Sequence, residues 1–488
     1  MTSLERTAGN TFIYMLGLIA NRGVAFLLVP LYTRTFEPGV FAALDLSLVT
    51  IIFLIPVFEL GMNAALVRFY HYWDTPEGRQ NAVSTALSFV LLSSATLTSM
   101  AFVYAAPLAH AIFGDATQDH IVRLIAVVVA LTAVSNQALA LLRAQERSMA
   151  FAALNLVRAV VGPAAIIALV VGRGMEIEGV LYGDIAGLAV MTLAGLWITR
   201  AQLGLGLNGT ALRSMLAFGA PLIPWAVTLN IITLSDRYLL RVWNTPEELA
   251  IYSLGFKAGM IMTLFTRAFQ TAWPASAYSI AKESGASEQL ATAGRYVFAL
   301  TALAASALAL LAPELVAVLG GAFYTPAVAI VPWIVFSYAI YQLTLFLLTV
   351  VTITNKNLYV AAIALTTVGV KLGLSFALIP AYGAHGAAWS TFGSFTVLLG
   401  LSYAVAQRVY FVPYALRLMG AYALILALCQ TAAHTFASEA TIGHTALRLA
   451  LLAGLGALTV VMGLAHKETV LKLAQPRRLF NRLFRARP

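Results

Sequence analysis

Charge is scarce in this chain. Lysine, arginine, aspartate and glutamate supply 10% of its 488 residues, where a soluble globular protein carries about 25%. With 60% hydrophobic residues and a mean hydropathy of +0.86, too little polar surface remains to coat a water-soluble fold, and a polytopic membrane protein is implied. Cysteine is scarcer still. Cys429 stands alone, which excludes an internal disulfide framework and most cysteine-based metal sites; it lies in an apolar run and reads as packing. Catalytic signatures are missing as well: there is no HExxH, no GxxxxGK[ST] and no DxD pair. The longest polar connection, Ser276 to Arg295, is too short for a soluble catalytic domain. Neither an enzyme nor a cofactor is expected. The first residues, MTSLERTAGN, lack a basic n-region and a small-residue cleavage site. The apolar run after them is too long for a signal peptide and is read as a retained span.

What is present is a succession of apolar runs. Fourteen reach the roughly 20 residues needed to cross a bilayer: 10–32, 41–67, 82–106, 121–142, 151–171, 179–198, 214–240, 249–275, 296–319, 327–350, 358–379, 385–406, 414–434 and 446–465. The predicted fold is therefore all-α and polytopic. The predicted division is an N-terminal lobe over 1–200 (spans 1–6), a C-terminal lobe over 201–407 (spans 7–12), two appended spans over 408–466, and a basic cytoplasmic tail over 467–488.

The distribution of positive charge orients these spans. With fourteen, both termini share one side. That side holds 19 basic residues, including Arg68, Arg79, Arg143, Arg200 and the tail cluster from Lys467 to Arg487; the other holds five, Arg34, Arg123, Arg173, Arg241 and Arg448. The positive-inside rule places the termini in the cytoplasm of a multi-pass protein of the inner (plasma) membrane. The net charge of +10 does not indicate nucleic acid, because it is spread over loops and gathered in the tail KLAQPRRLFNRLFRARP. That tail suits anionic lipid or serves only as a topology anchor.

Six bases remain inside the spans, Arg22, Arg158, Arg237, Lys257, Arg267 and Lys371, with five acids, Asp45, Glu59, Asp184, Asp236 and Glu314. Each would cost about 2.5–3.5 kcal/mol near mid-bilayer on insertion scales, so they must face the bundle interior, pair or snorkel. A polar, basic interior cavity is the expectation. In span 1, Asn10, Tyr14, Gly17 and Asn21 share one helical face with Arg22 at its edge; in span 2, Glu59 and Asn63 are one turn apart. In span 7, Asn230 and Arg237 share a face while Asp236 projects about 100° away, and Pro221 and Pro224 should kink the helix. Each charge also has a structural alternative. Asp236 and Arg237 can be ion-paired to neighbouring helices, Arg158 and Lys371 can pair with Asp184 or Glu59, and Arg267 can snorkel. Arg22 and Lys257 are the hardest to explain without a ligand. Most aromatics read as interface belt and packing, with Tyr14, Trp225 and Tyr252 as candidates for stacking on sugars.

Two segments echo one another: ALVVGRGMEIEGVLYGD from Ala168 and ALIPAYGAHGAAWST from Ala377. Each ends an apolar run, turns at glycine and restarts on small residues, so spans 5–6 and 11–12 read as equivalent hairpins in two halves, a transporter arrangement. With NTFIYMLGLIANRGVAFLLVPLYTRTFEPGVFAALDL, LGMNAALVRFYHYWDTPEGRQ and FGAPLIPWAVTLNIITLSDRYLL followed by LAIYSLGFK, the chain resembles the polysaccharide-export branch of the multidrug/oligosaccharidyl-lipid/polysaccharide superfamily, the Wzx-type flippases. The resemblance implies a 14-helix, two-lobed fold working by alternating access. It implies transfer of polyprenyl-pyrophosphate-linked oligosaccharide to the outer leaflet, for O-antigen, capsule or exopolysaccharide. It also implies basic substrate contacts on the first and eighth helices, where Arg22 and Lys257 lie.

On this reading the substrate-binding candidates are Arg22, Lys257, Arg237, Arg158, Lys371, Arg267, Asn21, Asn63 and Asn230. Arg34 and Arg68, at helix ends, are candidates for gating or topology. Asp236, Glu59 and Asp184 are candidates for coupling to H+ or Na+. Membrane lipids and the glycan polymerase or export machinery are the expected partners; no metal and no nucleic acid are. The rival readings are a cation-coupled drug antiporter of the same superfamily and a non-transporting component or enzyme of glycan assembly. The former typically has twelve spans and acidic groups for cationic cargo; the enzyme would need a large extramembrane loop.

Overall fold

The computed structural model describes residues 23–354, 356–436, 441–462 and 464. Helix is the only regular secondary structure among them, as expected where no water is available to satisfy an open backbone. The chain forms two compact units, residues 1–250 and 251–488.

In the first unit, α1 (Val29–Thr35), α2 (Pro38–Glu59) and α3 (Met62–Tyr72) lead into α4 (Pro76–Val103) and α5 (Ala105–Phe113). Then come α6 (Asp119–Ala144), α7 (Ser148–Arg173), α8 (Ile177–Thr199), α9 (Gly209–Gly219), α10 (Leu222–Leu234) and α11 (Asp236–Trp243). Prolines at the first turn and hydroxyl or amide caps start several of them. Thr75 and Asn208 accept the Gly78 and Ala211 amides, both at 3.0 Å, satisfying donors that a helix start leaves open. The hairpin α7–α8 packs backbone to backbone: a Cβ on Gly187 would lie 2.8 Å from the Gly162 Cα, the close approach that small residues permit in membranes.

Long apolar segments here are broken rather than continuous. The segment Pro38–Tyr72 is interrupted between α2 and α3, where Leu60 (φ 45°) and Gly61 (φ 75°) are left-handed. A Cβ on Gly61 would sit 2.6 Å from the Gly219 Cα, so this break abuts the end of α9 with no side chain between. The segment that begins with α9 breaks at Ala220–Pro221 and again at Ser235.

The second unit takes over within α12 (Pro246–Gly259) and continues through α13 (Met262–Ile280), α14 (Ala286–Leu310), α15 (Ala312–Leu319), α16 (Val331–Ile353), α17 (Asn357–Val409), α18 (Leu416–Phe436) and α19 (Ile442–Val461). Although α17 runs for 53 residues, it is two helices joined at Gly383, whose φ of 51° and ψ of −128° are not helical. Lys371 Nζ donates to Ser390 Oγ at 2.9 Å and Thr391 Oγ1 at 2.8 Å. In a continuous helix these residues would be about 30 Å apart, so the chain reverses here. The appended α18 and α19 pack on α14 through Tyr422, Leu426 and Leu455, and Tyr422 donates to the Leu455 carbonyl at 3.1 Å.

Twelve helical segments among the described residues are long and apolar enough to cross a membrane, with Tyr359–Val409 counted once. The Gly383 reversal divides that one in two. The expected span 10–32 lies mostly outside the described residues, as does the tail.

Candidate functional site

The helix breaks are where the charges gather. Glu59 closes α2 and is 8% exposed. Its two carboxylate oxygens accept from Asn63 Nδ2 at 2.6 Å and Asn136 Nδ2 at 2.7 Å, and Gln137 Nε2 donates to Asn63 Oδ1 at 2.7 Å. Asn63 comes to Glu59 across the left-handed turn at Leu60–Gly61 rather than along one helix; Asn136 and Gln137 arrive from α6, and nothing in the sequence pattern points to them. The cradle satisfies a carboxylate that would otherwise be costly at this depth.

Immediately after the Ser235 break, Asp236 and Arg237 are both buried, at 0% and 2%. Arg237 Nε lies 3.4 Å from Asp45 Oδ2, and its Nη1 donates to the Thr233 carbonyl at 3.0 Å. Sharing a helical face does not give Asn230 and Arg237 a common partner, because Asn230 Nδ2 donates to the Ile52 carbonyl at 3.3 Å. Next to the pair, Tyr238 shares a 2.8 Å hydrogen bond with Thr50.

The two hairpins each carry a base that reaches across its turn. Arg158 meets Asp184 at 3.4 Å, the pairing weighed from sequence. Lys371, fully buried, reaches hydroxyls rather than Asp184 or Glu59. In the repeat alignment anchored on Gly179 and Gly386, Asp184 and Thr391 occupy matching positions, so the acceptor position is shared, while the bases that reach it start 26 and 20 residues earlier.

Lys257 is half-buried on the last turn of α12, just before the chain breaks at Met260 and Ile261. Arg267, on α13, is exposed, as are Arg34 in the last turn of α1 and Arg68 on α3. Arg68 lies 4.3 Å above the Phe218 ring, a cation–π contact that fixes its direction. Asn21 and Arg22, with Asn10 and Tyr14, fall outside the described residues. Tyr252, a stacking candidate from sequence, is 0% exposed with its ring 6.0 Å from Phe256; it packs the interior. The sequence also missed Arg448. Placed among the outer loop residues by charge counting, it is buried and ion-paired to Glu314, which accepts from Thr445 as well. This cluster fastens α19 to α15.

Buried charged groups on an all-helical frame of long apolar segments define a polytopic membrane protein. Solved structures place the fold more closely. It is similar to that of the lipid II flippase MurJ in an inward closed conformation, with a TM-score of 0.70 at 13% identity, over 94% of this chain and 99% of that one. It is also similar to an inward-facing multidrug resistance MATE transporter of the MOP superfamily (TM-score 0.65, 13% identity, 81% and 94%) and to the Vibrio cholerae MATE transporter VcmN in its bent form (0.56, 14%, 83% and 96%). At these identities the likeness is one of fold. The chain belongs to the polysaccharide biosynthesis protein family, whose model matches residues 7–277. No curated protein matches the sequence.

Proposed function

We propose that the protein is a flippase that carries polyprenyl-pyrophosphate-linked oligosaccharide from the cytoplasmic to the outer leaflet by alternating access, in O-antigen, capsule or exopolysaccharide synthesis. The observation that carries this reading is a polysaccharide-biosynthesis family assignment on a fold shared with a lipid II flippase. The chemistry supports it. A diphosphate crossing a low-dielectric slab needs fixed cations to replace its hydration, and guanidinium groups can grip phosphate oxygens two at a time.

Among the interior bases, Arg158, Arg237 and Lys371 are already engaged by Asp184, Asp45 and the Ser390–Thr391 hydroxyls. Head-group contact is assigned first to Arg22 and Lys257, which lie on the helices where the family resemblance implies basic contacts, then to Arg267, with Arg34 and Arg68 at the helix ends as gating positions. Asn21, Asn63 and Asn230 supply amides for the sugars. Glu59 in its amide cradle, with Asp184 and Asp236, is the candidate set for coupling to H+ or Na+. Both termini are cytoplasmic on this reading, and the polymerase and export machinery take the product.

The test is export of a defined lipid-linked oligosaccharide in a strain lacking its own flippase. The wild-type chain should restore export. Lys257→Ala and Arg22→Ala should abolish it while the protein still inserts and accumulates. Normal export by both variants would remove the basic-contact assignment.

A further inference from the structure

The stretch YHYWDTPEGRQN, Tyr70 to Asn81, carries family resemblance but no role so far. It forms one wall of a cavity of about 380 Å3, away from the buried charges. The other wall is the start of α9. The lining groups that matter are Trp73, Asp74, Asn81, Asn208 and Thr210. We infer that this cavity is a saccharide subsite of the first unit, taking an uncharged sugar ring of the glycan head group.

The walls are built, not incidental. Gly78 allows the 73–75 turn to close over the start of α4, because a Cβ there would lie 2.7 Å from the Trp73 Cβ. The Trp73 ring is backed by Phe69 at 4.7 Å, which stands edge-on to Phe218 at 6.3 Å. On the far side the 200–208 loop is tied to α4. The Gly206 amide donates to Ser88 Oγ at 3.0 Å and the Asn208 amide to Thr85 Oγ1 at 3.3 Å. A rigid indole and two anchored chain segments therefore face one opening, with a volume in the range of small-ligand sites, about 300–1,000 Å3.

The chemistry selects the occupant. Asp74 is ion-paired to Arg79, so the lining carries little net charge and is poorly matched to a phosphate. Asn208 spends Oδ1 on its helix cap and keeps its NH2 donors. The Asn81 side-chain amide has no hydrogen-bond partner among the described residues, and Asp74 keeps an oxygen for a second donor. Amides that donate and a carboxylate that accepts suit vicinal hydroxyls, and an aromatic face suits the C–H face of a sugar. The subsite rests on the flippase reading for the source of the sugar and on the inward orientation for when it is met: α4 starts on the side assigned to the cytoplasm, where the substrate is loaded.

Saturation-transfer NMR on the full chain in nanodiscs tests it. The probes are methyl glycosides of glucose, galactose and N-acetylglucosamine, with inorganic pyrophosphate as competitor. At least one glycoside should receive saturation. Trp73→Ala and Asn81→Ala should cut it by about five-fold, the scale of one aromatic or paired-amide contact. Trp73→Phe and Asn208→Asp, which keep the ring and the cap, should stay folded and hold part of the signal. Gly400→Ala, with nothing within 4 Å of a new Cβ, should leave it unchanged. No transfer to any glycoside, equal transfer in Trp73→Ala and Asn81→Ala, or displacement by equimolar pyrophosphate would each overturn the subsite. The export assay separates this from the parent reading. Glycoside binding without export by the wild-type chain defeats the flippase and spares the subsite. Export with no pocket-dependent binding does the reverse.

Discussion

At the scale of single residues, the interior charges differ in how their cost is met. Asp45 and Arg237 form a buried pair, and removing one partner of such a pair costs about 3–5 kcal/mol because the other charge is stranded. Asp45→Asn should therefore lower the thermal unfolding temperature of the purified protein sharply. Adding Arg237→Gln to it should recover a large part of the loss. An unchanged unfolding temperature in Asp45→Asn would show the pair contributes nothing. That these residues carry charge inside a span was legible from sequence. That they meet was not, since 192 residues separate them and no periodicity links distant helices. Asn63 beside Glu59 was expected from their four-residue spacing, although a left-handed turn and not a continuous helix joins them; Asn136 and Gln137 were not legible, because they come from another helix. Arg448 misled for a different reason. Near a helix start a lone arginine looks like a loop residue, and its pairing with the Glu314 carboxylate helps make its burial tolerable.

At the scale of elements, interruption is the recurring device. Gly61 adopts a left-handed conformation that costs other residues about 1–2 kcal/mol, and its Cβ would also overlap the Gly219 backbone. Gly61→Ala should therefore lose well over 1 kcal/mol in thermal or denaturant unfolding. Gly400→Ala, mid-helix with nothing within 4 Å of a new Cβ, should be neutral or gain about 0.5–1 kcal/mol. The proline break at Ala220–Pro221 could be read from residue type; the Leu60–Gly61 break could not, because Leu60 is apolar and the run through it is unbroken in hydropathy. The reversal inside α17 was legible from the repeat, which placed a turn between spans 358–379 and 385–406. A cysteine pair replacing Ser375 and Ser390, whose hydroxyls are 3.1 Å apart, should oxidise to a disulfide in a Cys429→Ser background. A continuous helix would hold them about 22 Å apart, and failure to cross-link would restore that picture.

At the scale of the molecule, composition alone was enough for the class, because a chain this poor in charge has only a lipid solvent open to it. Loop charge gave the orientation, which labelling can check. In the same Cys429→Ser background, a membrane-impermeant maleimide added outside cells should modify Glu176→Cys and spare Thr75→Cys; the opposite pattern would invert the topology. What composition could not give was the saccharide-facing wall at Trp73. Its polar members are ordinary loop residues until folding sets them opposite Asn208.

The Asp45–Arg237 contact bears on energetics in a polarised cell. A lone elementary charge crossing the full potential exchanges about 2.3 kcal/mol per 100 mV. A carboxylate and a guanidinium travelling together carry none. Whatever motion α2 and α11 make as a body, this pair adds no net charge to what the membrane potential can act on.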